Sequence, residues 1–200
     1  MQTVRIALIT SVLLGLGATA GAQSRDENRS RCTDSNPDLS VRGCTAVIES
    51  GAETNANLAI SFYNRGIAYN TKGEYDRAIQ DFDQAVRLKP DYAKAFNNRG
   101  IAHWEKSQYD QAIQDYDEAI RLKPDNPEAF NNRGLAYGDK GQYDRAIQDY
   151  DQAIRLKSDY AEAFEGRGIA YGNVGQHGRA IQDFDKAIRL KSNQIGRAHV

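Results

Sequence analysis

The side chains able to do chemistry are few and scattered. His103, His177 and His199 are the three histidines, and no two of them stand at the spacing that puts metal ligands on one helix face. Neither HExxH nor CxxC occurs. Stretches such as Gly166-Arg167-Gly168 and Gly172-Asn173-Val174-Gly175 follow no strand pattern, so they do not read as phosphate cradles. One constellation recurs. Asp81 and Asp83, Asp115 and Asp117, Asp149 and Asp151, and Asp183 and Asp185 each follow an arginine, namely Arg65, Arg99, Arg133 and Arg167. Paired carboxylates can do acid–base work, yet copies at one spacing point to a scaffold role rather than to one reaction centre. The reading is a chain with no catalytic residues, no cofactor and no metal. Either each arginine seats its stem in the fold and its head on a carboxylate, or these charges are solvated and were merely copied by duplication.

The elements that position these groups come from repetition. Four gapless copies of a 34-residue unit occupy residues 59–92, 93–126, 127–160 and 161–194. In the first, Phe62, Gly66 and Tyr69 share one helical face, and Ala78, Phe82 and Ala85 share another. Between them Gly73 can take the left-handed conformation that ends a helix, and Pro90 and Pro124 punctuate the joins to the next copies. Each copy is therefore expected to be a helix–turn–helix hairpin. The overall class is all-α.

These positions resemble the tetratricopeptide repeat, whose pattern asks for an aromatic, then Gly, Tyr, Ala, an aromatic, Ala and Pro. The first copy supplies Phe62, Gly66, Tyr69, Ala78, Phe82, Ala85 and Pro90. The second puts His103 in the tyrosine place, and the last two put Ser158 and Ser192 in the proline place. The leucine that the family carries before the glycine is arginine in every copy. The resemblance implies a right-handed superhelical solenoid whose first helices line a concave groove for an extended or helical peptide. Carried onto this chain, that groove includes Tyr63, Ile67, Asn97, Ile101, Trp104, Asn131, Leu135, Asp139, Glu165 and Ile169. Ile67, Ile101, Leu135 and Ile169 would form an apolar stripe along it, unless they pack against neighbouring helices. Trp104, with its expected exposure, is the anchor candidate. One subset of the family grips carboxylate tails with lysines and asparagines; the stripe residues replace that asparagine here, which argues against a chaperone-tail receptor.

Composition agrees with a scaffold. Lysine and arginine total 26 against 27 acids, for a net charge of -1, so there is no electrostatic footprint for nucleic acid. A mean hydropathy of -0.69 excludes a multi-span membrane protein.

The ends depart from the period. Arg5, an apolar run over residues 6–16 and Ala20-Gly21-Ala22 read as a signal peptide of residues 1–22, leaving no membrane span after cleavage; the alternative is an uncleaved anchor. Export favours pairing Cys32 with Cys44 over two free thiols. Within residues 23–58, the segment 37–48 fits the second-helix pattern, with Ser40 at the Ala78 place, Cys44 at Phe82 and Val47 at Ala85. This is a degenerate half-repeat capping the array, joined to the first copy through a linker four residues too long. Residues 195–200 read as a tail of artefactual appearance, and the fourth copy as uncapped, open to self-association or to a longer natural chain. The function expected is a non-catalytic, exported adaptor holding a protein or peptide segment, in a bacterial periplasm. A cell-wall or glycan-binding module, with Trp104 stacking on sugars, and an accessory part of a longer protein are the alternatives.

Overall fold

The computed structural model describes residues 24–198. The expected leader, 1–22, lies outside the described residues. The chain divides at Lys89–Pro90 into two compact units. Every regular element among the described residues is a helix.

The N-terminal unit holds α1 (residues 24–32), α2 (Pro37–Glu49), α3 (Asn55–Thr71) and α4 (Tyr75–Leu88). Helix α2 starts where the half-repeat was placed, because the Asn36 carboxamide accepts from the Asp38 and Leu39 amides and Pro37 needs no donor partner. Ser40, Gly43, Cys44 and Val47 are its buried face. A disulfide joins Cys32 to Cys44 with their Cα atoms 4.4 Å apart, and the Ser40 hydroxyl donates to the Cys32 carbonyl at 3.0 Å. A cross-link over this separation contributes about 3 kcal/mol by restricting the unfolded chain. Helix α1 then lies so close that a Cβ on Gly43 would meet the Cys32 nitrogen at 2.6 Å. Helix α1 precedes the segment read as a half-repeat, and the sequence pattern had not indicated it.

Helix α3 begins earlier than the repeat boundary at 59. Thr54 caps it through a bond from the Asn57 amide, so the surplus linker residues become an extra turn. Gly51, with φ of 62°, turns the chain before it.

The C-terminal unit holds three hairpins: α5 (Ala93–Glu105) with α6 (Tyr109–Leu122), α7 (Pro127–Asp139) with α8 (Tyr143–Leu156), and α9 (Ala161–Asn173) with α10 (His177–Ala198). Each hairpin also packs on the next, α6 on α7 and α8 on α9. The turns close by a shared device: the Gln108 amide donates to the His103 carbonyl at 2.9 Å, and the Gln142 amide to the Tyr137 carbonyl at 2.8 Å. Gly141 and Gly175 take positive φ there, but Ser107 holds the same place at 58°, a conformation costing a side-chain-bearing residue about 1 kcal/mol or more. Helix α10 continues past residue 194 because neither a proline nor a left-handed glycine interrupts residues 189–195; the expected tail is helical through Ala198.

Small residues bring the helices of a hairpin together. A Cβ on Gly100 would sit 2.6 Å from the Tyr116 ring, which is buried with Ala112, Ile113 and Ala136. The tyrosine after that glycine carries a cation over its face: Arg77 stands 4.0 Å from the Tyr69 ring centre, and Arg145 and Arg179 stand 5.5 Å from Tyr137 and Tyr171. Where His103 replaces the tyrosine, Gln111 replaces the arginine, and the His103 ring instead meets the Gln108 side chain at 2.8 Å.

The repeated arginines are not solvated. Arg65 Nε and Nη2 donate to both carboxylate oxygens of Asp81, at 2.7 and 2.8 Å. Arg133 grips Asp149 in the same fork at 2.8 and 2.6 Å, and Arg167 grips Asp183 at 2.8 and 2.7 Å. Arg99 donates to Asp115 at 2.5 and 3.0 Å. All four aspartates are buried. The third guanidinium nitrogen reaches the preceding hairpin: Arg133 Nη1 donates to Asp117, and Arg167 Nη1 to Asp151, each at 2.5 Å. In the N-terminal unit Arg65 Nη1 donates to Thr45 at 2.9 Å, and Thr45 is the half-repeat residue at the place of Asp83. The Asp81 hydrogen bonds raise the Arg65 guanidinium above its ordinary value, outweighing burial.

Replacing Arg133 with leucine, the residue of the resembled pattern, strands Asp149 without its counter-charge. Urea denaturation of Arg133→Leu is expected to show a loss of about 3–5 kcal/mol, the range for breaking one side of a buried pair. An unchanged or higher midpoint would mean that the pairs do not hold the hairpins.

Candidate binding trough

Within the C-terminal unit the first helices α5, α7 and α9 lie side by side, with α7 touching both neighbours. Their outward residues come from repeat places that differ between copies. Leu135 and Ile169 remain 37% and 53% exposed on the stripe. Between α7 and α9 they flank a cleft of about 230 Å³, with Gly138, Asp139 and Asn173 at the rim and Tyr143, Tyr150 and Ala170 deeper. Two glycines widen it, since a Cβ on Gly138 or Gly172 would meet nothing. A third lets the floor pack close. A Cβ on Gly166 would lie 2.7 Å from the Tyr150 hydroxyl, and the other three copies have Asn64, Asn98 and Asn132 in that place.

The trough is acidic because the cations have been drawn inward. Arg133 and Arg167 are committed to Asp149 and Asp183, while Asp139, Glu128, Glu162 and Glu165 stay exposed. Glu165 accepts from Lys191 at 2.6 Å, and Asp139 accepts the Trp104 indole N–H at 2.7 Å. Asn131 Oδ1 is buried and meets no donor among the described residues. Burial pushes the Tyr150 phenol well above its ordinary value, with Asp139 and Asp149 adding to the shift.

The groove residues named from sequence are therefore only partly gathered. Leu135, Asp139 and Ile169 share the cleft. Glu165 is exposed on the same helix as Ile169, and Asn131 is half-buried on α7. Two need correction. Trp104 is half-buried and packed with Ile101 and Tyr137 on the Tyr116 cluster, so it is a tethered wall and not a free anchor. Asn97 is buried, where its Oδ1 accepts from the Asn132 side chain at 3.2 Å, and it faces no ligand space. Ile101 likewise packs inward in part. In the N-terminal unit Tyr63 leans on Phe82, ring centres 6.0 Å apart, and Ile67 lines a separate cleft of about 210 Å³ with Pro37, Ser40 and Asn64. The floor residues Tyr143 and Tyr150 were missed; the change from asparagine to Gly166 was their readable signal. No group of three or more potential ligands able to hold a metal ion is found among the described residues.

Models described as TPR repeat match residues 66–107, 105–141 and 136–175, and one described as tetratricopeptide repeat matches 161–194. The chain belongs to the tetratricopeptide repeat family. No curated protein matches it. Among solved structures, a crystal structure of MamA is similar at 24% identity and a TM-score of 0.73, covering 86% of this chain and 96% of that one. A MamA fragment, 41-end, from Desulfovibrio magneticus RS-1 is 22% identical with a TM-score of 0.76, covering 86% and 96%. At such identities the likeness shows the tetratricopeptide fold, and that fold alone.

Tyr150 supplies a pH test. The unfolded phenol loses its proton near 10.0 and the buried one only at higher pH, so stability falls as pH rises beyond 10. Phe82 and Phe184 fill the equivalent places, so Tyr150→Phe should keep its neutral-pH stability. Its alkaline slope should be shallower by about 1 kcal/mol per pH unit above 10, read from urea midpoints. An identical slope would mean that the phenol ionises freely in the fold.

Proposed function

We propose that this chain is a non-catalytic adaptor that holds a peptide or protein segment in the trough of its C-terminal unit. The carrying observation is the α7–α9 cleft: apolar flanks from Leu135 and Ile169, glycines in place of wall side chains, and an acidic rim. Membership of a repeat family built around protein interaction supports the same reading. The chemistry it favours is an extended segment carrying an apolar side chain next to a lysine or arginine, because exposed acids outnumber free cations along the rim. A saccharide platform gains no support from Trp104, whose ring is engaged in packing and whose N–H is bound.

Leu135 and Ile169 are exposed, so their replacement spares the core. Display of random peptides on the purified protein is expected to enrich basic–apolar sequences. Leu135→Glu and Ile169→Glu should weaken the selected peptides at least tenfold, with melting temperatures almost unchanged. A photo-crosslinking residue at position 138 tests the class of ligand: protein adducts fit the adaptor, and saccharide adducts favour the glycan module. Peptides that bind both variants as well as the parent would sink the trough as the site.

Export is part of the proposal. It rests on the leader-like residues 1–22 and on the Cys32–Cys44 disulfide, which persists best in an oxidising compartment. Mass spectrometry of the protein from a bacterial envelope fraction should find the amino terminus at Gln23. A full-length mass recovered from the cytosol would contradict it.

A further inference from the structure

The N-terminal unit has a cleft of its own, and every residue lining it precedes residue 66, where the family match begins. It measures about 280 Å³ and lies between α1 and α3, with Val47 of α2 on its wall. Cys32, fixed by the disulfide, lines it from α1, and Ile60, Ser61 and Asn64 line it from α3. Two of these residues break the repeat. Ile60 is 46% exposed where the later copies carry Lys94, Glu128 and Glu162. Ser61 is 5% exposed where they carry Ala95, Ala129 and Ala163, each fully buried. Both exceptions fall in one cleft, which gains hydrocarbon from the first and a hydroxyl from the second.

The polar groups set what can enter. Arg29 Nε and Nη2 donate to Glu53 Oε1 at 3.1 and 2.6 Å, and Asn57 Nδ2 donates to Glu53 Oε2 at 2.8 Å. The Glu53 side chain is only 3% exposed, so its charge is matched by Arg29 and is not free for a second ion. Ser61 donates its proton to the Asn57 carbonyl at 3.0 Å, and its oxygen receives no hydrogen bond from the described residues. Asn64 turns its Nδ2 toward the Cys32 sulfur at 3.9 Å. What remains open in the buried wall is therefore an acceptor. A carbonyl or carboxylate finds no donor at Ser61, and an ammonium loses its hydration without gaining a free counter-charge.

We propose that this cleft binds a small uncharged group with an apolar body and a hydrogen-bond-donating head. The head donates to Ser61 Oγ, and the body lies against Ile60, Val47 and the Cys32 end of the disulfide. A concave wall of hydrocarbon with one placed polar atom is the usual form of a small-ligand site. Its chemistry is unlike that of the trough in the C-terminal unit, whose acids favour a cation. A free alcohol or phenol and the tyrosine side chain of a polypeptide share the chemistry that fits.

Benzyl alcohol, toluene and benzylamine share a ring and differ only in the head, and each is titrated against the isotope-labelled full chain by NMR. Benzyl alcohol is expected to shift the amide signals of residues 60–64 saturably, in the millimolar range for so small a ligand. Ser61→Ala, which installs the residue of the other three copies, should weaken it about fivefold, the factor carried by one neutral hydrogen bond, and leave toluene unchanged. Ile60→Lys, the residue of the second copy, should remove the binding of both. N-acetyltyrosinamide separates the two sources: tighter binding than benzyl alcohol assigns the site to a polypeptide side chain, and weaker binding to a free small molecule. Leu135→Glu and Ile169→Glu should change none of these values, so a failure in this cleft is distinct from a failure of the trough. No saturable shift at residues 60–64, equal affinity of benzyl alcohol for the parent and Ser61→Ala, or benzylamine binding as tightly as benzyl alcohol would each overturn the proposal.

Discussion

The structure depends on a guanidinium shared between three elements. In the C-terminal unit, Arg133 and Arg167 each fork onto an aspartate of their own hairpin and reach with the remaining nitrogen to the hairpin before. Burying such a pair gains little net free energy over well-packed hydrocarbon, because desolvation offsets most of the attraction. What it supplies is directional: a fork has one geometry, so one register between neighbouring hairpins satisfies both carboxylates. A leucine in the same place would pack in several registers. The aromatic ring below each guanidinium, Phe130 at 5.6 Å and Phe164 at 5.4 Å, fixes the stem as well. The cap obeys the same geometry with a neutral partner. Arg65 reaches Thr45 across twenty residues where the other bridges span sixteen, the difference being the four extra linker residues.

That inward commitment shapes the surface. Arginines on the first helices would otherwise balance the acids around them; turned into the hairpins, they leave Glu128, Asp139, Glu162 and Glu165 to set the field of the trough. The interaction that registers the repeats therefore also gives the concave side its sign, although the whole chain is nearly neutral at -1. Net charge would have hidden this, because the cations are counted but do not face the trough.

Much of the fold was legible because it is written four times. Apolar places at helical spacing, turn glycines and the half-repeat register through Ser40, Cys44 and Val47 all reappear as buried faces and hairpin turns. The start of α3 was not legible because its extra turn is polar and lies outside the period, and only the Thr54 cap marks it. The site was less legible. Leu135, Asp139 and Ile169, read from the face they occupy, line one cleft, but Asn97 and Trp104 lie at the edges of that face. At an edge, a few degrees of helix rotation decide between groove and core, and the neighbouring hairpin sets that rotation. No spacing within one helix contains this information.

The differences between copies then carry the functional content. Second helices are nearly interchangeable, since Tyr116, Tyr150 and Phe82 fill one place and Ala112, Ala146 and Ala78 another. First helices diverge at the places that look outward. Asn70, Trp104, Gly138 and Gly172 occupy one such place in successive copies, running from a bulky wall to open backbone. Gly138 and Gly172 each cost about 1 kcal/mol of helix propensity relative to alanine, and no close approach of helices requires them, because a Cβ there would meet nothing. A cost without a packing reason is expected where space itself is the product. Gly166 differs, because a Cβ there would run into the Tyr150 ring and hydroxyl, so that glycine has a packing reason. Duplication preserved the scaffold, and the exceptions at Gly138 and Gly172 leave open space along the first helices.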